Sequence, residues 1–322
     1  MWPRARDVTG HDDRVVALAH LSARLARCPD LDTLVDATLA ALDELFGYSH
    51  SLLLLLDETG ERLYTIASHG YDAEGVGSEV RLGEGVIGMV AERVESMRVG
   101  NLRQMLAYAR RVRRIYEERG GEAPGREIPL PGLARAESQV AVPAMVLGQL
   151  VGVLAIESET RLAFTPHDEA LLSVVATLVA SAIEIDWAHE RAAGDAGGGE
   201  VATRAAVRPT GPASTRVRFF AVDGSTFLDG DYLIKGVAGR VLWVLLGHHA
   251  RENRVDFTNK EVRLDPSLEL PEFRDNLESR LILLKRRLDE RDAPIRIEKT
   301  GRGRFRLLVD GELRLEEVDA DR

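Results

Sequence analysis

The sequence predicts an α+β protein in two domains, on the strength of three observations. Two pairs of short apolar runs are each split by a turn signal: residues 51–56 and 62–68 around Asp57-Glu58-Thr59-Gly60, and residues 138–146 and 149–157 around Leu147-Gly148. Helically spaced apolar residues precede and follow these strands, so an antiparallel sheet with flanking helices is expected. Residues 191–215 are rich in Gly, Ala, Thr and Pro, the composition of a linker. The expected division is a disordered start (1–11), a first domain (12–191), a flexible linker (192–215) and a smaller α+β domain (216–322).

In the first domain, Val15, Leu18, Leu21 and Leu25 mark one helix and Leu31, Leu34, Val35, Leu42 and Leu45 a second. Pro29-Asp30 separates them; Asp30 is placed to cap the second, with Thr33 in its first turn. Residues 79–82 read as a short strand before the Gly83-Glu84-Gly85 turn, and 86–93 as a short helix. The last helix opens at Thr165-Pro166-His167-Asp168: a capping hydroxyl, proline at the first helical position and an acid three residues on.

With 45% hydrophobic and 29% charged residues the composition is that of an ordinary globular chain. One cysteine, Cys28, excludes an intramolecular disulfide, and no Cys/His cluster has zinc-site spacing, so a reducing compartment is expected. Charge follows Met1-Trp2-Pro3, where a signal peptide needs an apolar core, and the apolar stretch 171–185 is too short to span a bilayer. A cytoplasmic protein with no membrane partner is the expectation. From Arg216 onward there are 21 of the 42 basic and 21 of the 52 acidic residues, so the front of the chain carries the whole net charge of −10. A generally basic nucleic-acid-binding chain is excluded; a local basic strip is not.

Four segments in order, Gly83-Glu84-Gly85-Val86-Ile87-Gly88, Glu137-Ser138-Gln139-Val140-Ala141-Val142-Pro143, Gly152-Val153-Leu154-Ala155-Ile156-Glu157-Ser158 and residues 164–171, resemble the successive signatures of a GAF domain. The resemblance implies a sensor whose ligand lies between the sheet and a loop-rich cover, here 101–137. Candidate ligand residues are then Tyr108, Arg110, Arg111, Arg114 and Ser138, with Arg113 and Tyr116 beside them. Guanidinium forks match an anionic group; the same stretch also reads as an amphipathic helix with a solvated arginine face.

His50 and His69 flank strands and are candidates for a cofactor such as haem, or for ordinary structural histidines. Phe164, Asp168 and Glu169 match the second half of the signature of cyclic-nucleotide-binding GAF domains, but no Asn-Lys pair stands ahead of it, and the helix cap accounts for Asp168. The lone Cys28 cannot form the disulfide of the methionine sulfoxide reductase branch. With no nucleophile constellation or phosphate loop, no enzymatic activity is expected, and no cofactor is identified.

Past the linker, strands at 217–222 and 226–228, helices at 237–249, 256–264 and 271–291, and a hairpin across Thr300-Gly301-Arg302-Gly303 resemble the winged-helix output domain of OmpR/PhoB-class response regulators. That resemblance implies DNA binding through the long helix and the wing, with Arg280, Lys285, Arg286, Arg302 and Arg304 as candidates. The helix itself argues another way. Phe273, Leu277, Leu281, Leu284 and Leu288 form its core stripe, so Asp275, Ser279, Ile282, Leu283, Arg286 and Glu290 face outward. Acid and aliphatic residues suit protein better than base edges. The expected function is a ligand- or signal-sensing transcription regulator; the alternative is a non-enzymatic signalling adaptor whose second domain binds protein. A homodimer is expected through the terminal helices of the first domain, with Val15, Leu18, Leu21, Leu25, Leu171, Leu172, Val175, Leu178 and Val179 as seam candidates.

Overall fold

A computed structural model describes residues 11–72, 75–104, 128, 130–196, 214–268, 277–301 and 303–318. The chain forms two compact units, Met1–Asp186 and Trp187–Arg322.

The first unit opens with helices α1 (His11–Leu25) and α2 (Leu31–Phe46). Asp30 caps α2 as expected, its carboxylate accepting from the Thr33 N–H at 3.0 Å. Strands β1 (His50–Leu56), β2 (Arg62–His69) and β3 (Glu79–Arg81) follow, then helix α3 (Gly85–Arg93) and strands β4 (Met97–Val99), β5 (Ser138–Val146) and β6 (Gln149–Ser158). They build one antiparallel sheet in the order β3-β2-β1-β6-β5-β4. Helix α2 lies against β1 and β2 and packs on α1, while α3 lies against β5 and β6. β1 is an apolar run buried at Leu52, Leu53, Leu54 and Leu55, because both faces of this central strand are covered.

Helix α4 (Pro166–Ala196) closes the unit and runs on into the second. It starts at Pro166 with Thr165 and Asp168 bonded reciprocally: Asp168 Oδ2 accepts from the Thr165 N–H at 2.7 Å and its Oγ1 at 2.6 Å. Its apolar part is longer than the 171–185 stretch suggests, and among the described residues it is the one helix long and apolar enough to cross a membrane. Leu171, Leu172, Val175, Ala176, Val179, Ala180 and Ile183 are nonetheless buried within the protein, as in a core helix.

In the second unit, β7 (Ser214–Phe220), β8 (Ser225–Leu228) and β9 (Asp231–Ile234) form a meander that β13 (Glu312–Val318) joins in parallel at β7. Helix α5 (Gly236–Glu252) leads to β10 (Asp256–Thr258) and the short α6 (Asn259–Arg263). The expected helix over 256–264 is therefore half strand: Phe257 pairs with Phe305, and Thr258 caps α6 in a capping box with Glu261. Helix α7 (Leu277–Glu290) is followed by the hairpin β11 (Ile295–Gly301) and β12 (Arg304–Val309), which with β10 makes a three-stranded sheet.

Candidate functional site

Alternation along a strand decides which side chains share a face. Leu52 and Leu54 of β1, Ala141 of β5 and Val153 and Ala155 of β6 form one buried cluster with Val86, Ile87, Val90 and Ala91 of α3. Two residues further along the same face stand His50, Gln139 and Glu157. They are brought side by side by the register His50↔Glu157 and Gln139↔Glu157. The α3-covered face of the sheet is thus apolar for most of its length and polar at one end.

Glu157 is the centre of that polar end. It is 8% exposed, and three donors converge on its carboxylate: the Leu133 N–H at 3.0 Å and the Tyr71 hydroxyl at 3.4 Å on Oε2, and Gln139 Nε2 at 3.2 Å on Oε1. Burial pushes its pKa above the ordinary carboxylate range, and the Leu133 and Tyr71 bonds only partly oppose that. Burial and the neighbouring carboxylate together push the Tyr71 phenol upward, so it stays a donor. The Tyr71 ring meets His50 edge-on at 5.5 Å between centroids, and His50 Nδ1 lies 3.0 Å from Ser49 Oγ.

Tyr71 owes its place to Gly70, whose φ is +82° and whose absent Cβ would lie 1.8 Å from the Ser49 carbonyl oxygen. Oε1 receives one of these three bonds and Oε2 the other two.

Of the residues singled out in the sequence, Tyr108, Arg110, Arg111, Arg113, Arg114 and Tyr116 lie outside the described residues. Ser138 is buried, and its hydroxyl is spent on the Thr160 carbonyl at 2.7 Å; its neighbour Gln139 is the one beside Glu157. His69 is held by Asp43 at 3.0 Å. Among the described residues no group of three His, Cys, Asp or Glu is placed to hold a metal ion. Asp168 and Glu169 have structural partners: Asp168 binds Thr165, Tyr48 and Arg14, and Glu169 binds Ser96 and Arg98 next to and on β4. Tyr71, Gln139 and Glu157 were missed as a site; the available signal was an amide and an acid at inward positions of otherwise apolar strands.

In the second unit Phe273, Asp275 and Arg302 lie outside the described residues. Arg280, expected to be available to DNA, is instead buried at 8% exposure, and Ile282 and Leu283, expected outward, are buried at 5% and 3%. A helix apolar on two opposite sides is covered on both. Lys285 and Arg286 are half-buried, and Arg304 is exposed. Arg287 is held inside by the Leu233 carbonyl and by Glu290, while Glu278 ties Asn259 to Lys299 at 2.8 Å each.

Among curated proteins no match to the chain is found. Among solved structures, the chain is similar to the GAF domain of an Acinetobacter phosphoenolpyruvate-protein phosphotransferase, at 22% identity over 60% of this chain and 100% of that one, with a TM-score of 0.44. It is also similar to the GAF domain of a Coxiella burnetii phosphoenolpyruvate-protein phosphotransferase (19%, 57% and 98%, TM-score 0.42). A third is the free methionine-R-sulfoxide reductase of Neisseria meningitidis in complex with its substrate (19%, 56% and 96%, TM-score 0.42). A family model described as GAF domain matches residues 28–184, the segment that holds the six-stranded sheet, all four ordered motifs and the Glu157 cluster. Residues 28–184 are a GAF domain, a module that suggests a sensor or signalling role.

Proposed function

We propose that the GAF domain binds a small molecule at the polar end of its α3-covered face, with Glu157 accepting a hydrogen bond from the ligand and Tyr71 and His50 lying against it. The observation that carries this reading is a carboxylate only 8% exposed at the end of an apolar sheet face, with an aromatic hydroxyl, an amide and a backbone N–H turned on it. Glu157→Gln is accordingly expected to stabilise the free protein. The new amide oxygen takes the place of Oε2, the amide nitrogen faces Gln139, and Gln139 turns its own amide to accept.

The sign follows from the raised pKa. The stability linked to this group is fully present below the unfolded value near pH 4.3, where both states are protonated, and is lost as pH rises through the folded value. The variant should therefore melt about 2–4 °C higher at pH 8, corresponding to about 1 kcal/mol, and like the parent at pH 4. Thermal shifts by amino acids and small amines, run on both proteins, test the site: ligands that stabilise the parent should no longer do so in the variant. Equal shifts in both would remove Glu157 from the binding reading.

The role proposed for the chain is a ligand-responsive, non-enzymatic signalling protein, with the second unit as a winged-helix-like output module. Supporting the non-enzymatic part, the single thiol, Cys28, bonds the Arg24 carbonyl in the α1–α2 connection, and burial pushes its pKa up. Supporting the winged-helix part are the order meander, three helices and hairpin, and a hairpin strand that carries Arg304 outward.

Of the two outputs, a protein partner is favoured over DNA, because Ile282 and Leu283 are buried in the α7 face that would read bases, with Arg286 beside them. A gel shift with random-sequence duplex at low and moderate salt tests this. Salt-sensitive binding lost in Arg304→Ala would restore the transcription-regulator reading.

A homodimer is proposed through helices of the first unit, on a face that keeps Val15, Leu18 and Leu178 of the expected seam. Leu21, Leu25, Leu171, Leu172, Val175 and Val179 are buried in the unit itself. The stripe left outward is Val174, Leu178, Ser181 and Ile185 on α4, at seam-like spacing, with Val15 and Leu18 on α1. Val174→Glu should convert the dimer to monomer in light scattering; a parent that is itself monomeric at micromolar concentration counts against it.

A further inference from the structure

We propose that β13 pairs antiparallel with the β13 of a second copy of this chain, joining two four-stranded sheets edge to edge. β13 ends the sheet β13-β7-β8-β9, with β7 on one side and no strand on the other. An edge strand presents a row of main-chain donors and acceptors, and proteins blunt such edges by keeping them short, bending them with a bulge or setting a lysine on them.

Five of the six sheet edges among the described residues are blunted in these ways. β3, β4 and β10 have three residues each and β9 has four; the Tyr232 and Leu233 carbonyls of β9 also accept from Arg291 and Arg287. β11 has seven residues, but it carries Lys299 and its register shifts between Lys299 and Gly301. β13 also has seven, paired with β7 in unbroken register and free of proline, glycine and lysine. Among the described residues its main chain bonds nothing outside β7.

The charges on β13, which would deter a foreign strand, suit a second copy. Turned antiparallel about Leu315, two copies set Arg314 against Glu316 on both sides of the two-fold axis and Leu315 against itself, and no like charges are directly opposed. Arg314 and Glu316 are exposed and take no ion pair among the described residues, so both are available to the copy. Register is selected as well. Sliding one strand by two residues, the smallest step that keeps the faces matched, opposes Arg314 to Arg314 in one direction and Glu316 to Glu316 in the other.

The test uses the full chain with Cys28→Ser and oxidises thiols placed one at a time on β13. In Leu315→Cys the two thiol-bearing residues face each other with Cα atoms about 4.5–5.5 Å apart, within the span of a disulfide, whereas in Leu313→Cys they lie about 14 Å apart. Leu315→Cys should therefore cross-link about 10-fold faster or more than Leu313→Cys. Arg314→Glu and Glu316→Arg, each added to Leu315→Cys, should slow cross-linking about 10-fold, and an equimolar mixture of the two should recover it, since each then meets the opposite charge on the other. Equal rates at 313 and 315 would overturn the proposal, as would a mixture no faster than its components. Pairing with a strand of some other protein would leave the purified chain without the 315 cross-link, which also overturns it. Should Leu315→Cys misfold, sedimentation of the two charge variants, alone and mixed, in a Val174→Glu background makes the same comparison. The ordering of rates is expected in that background too, so failure of the helix dimer leaves this proposal standing and is told apart from its failure.

Discussion

Replacing Gly70 with alanine is expected to destabilise the GAF domain by about 2–5 kcal/mol and to disconnect Tyr71 from Glu157. Two costs add. The backbone at Gly70 has φ +82°, where a Cβ costs about 1–2 kcal/mol. The added carbon would also lie 1.8 Å from the Ser49 carbonyl oxygen, a backbone atom that cannot swing aside, so the end of β2 must part from the start of β1 at a further cost of about 1–3 kcal/mol. Gly148 provides the control: its φ is +78°, but nothing lies within 4 Å of its missing Cβ. Gly148→Ala should therefore show the conformational cost alone. Urea melts of the two variants separate the contributions, and equal midpoints would mean that the Ser49 carbonyl yields without cost. In the Gly70 variant, ligand-induced thermal shifts should disappear even where the domain still folds, because Tyr71 follows directly and its hydroxyl reaches Glu157 only at 3.4 Å.

The contrast between Gly70 and the caps shows which parts of this fold can be read from sequence. Asp30 with Thr33, and Thr165 with Pro166 and Asp168, are complete within four residues, so both helix starts were legible. The four motifs in order likewise gave the first unit its sheet. Strands β4 and β13 were not legible, since β4 exists by pairing with Gln139, Val140 and Ala141 of β5 and β13 by a parallel pairing with β7 nearly a hundred residues upstream. Phe257 was drawn into a strand by Phe305 against a helical expectation.

The site failed to appear for a related reason. Residues 139 and 157 meet only through the register of β5 and β6, and residue 71 joins them from beyond the end of β2. Helix α7 was half legible. Its two stripes were read correctly from spacing, but spacing alone says nothing of whether a second stripe is free or covered.

Asp168→Asn is expected to cost the first unit about 3 kcal/mol at neutral pH, through the loss of one charge that four donors share. Oδ1 accepts from Arg14 at 2.9 Å and from the Tyr48 hydroxyl at 2.6 Å, while Oδ2 accepts from the Thr165 N–H and hydroxyl. An amide presents one acceptor and two protons, so whichever way the substituted side chain turns, two donors are left facing N–H groups, and in one of the two orientations an orphan is a guanidinium. Burial by itself would raise the Asp168 pKa; the bonds from Thr165, Tyr48 and Arg14 outweigh it, and the net direction is down. Its stabilisation is therefore fully present above the unfolded value near pH 3.9 and is lost as pH falls through the lowered folded value. Parent and variant should differ by their full gap from pH 5 to 8 and converge below pH 4. Tyr48→Phe removes one donor but no charge, and should cost about 1 kcal/mol without that convergence. A gap between parent and Asp168→Asn that stays constant down to pH 2 would show that shape, rather than charge, is what Asp168 contributes at the start of α4.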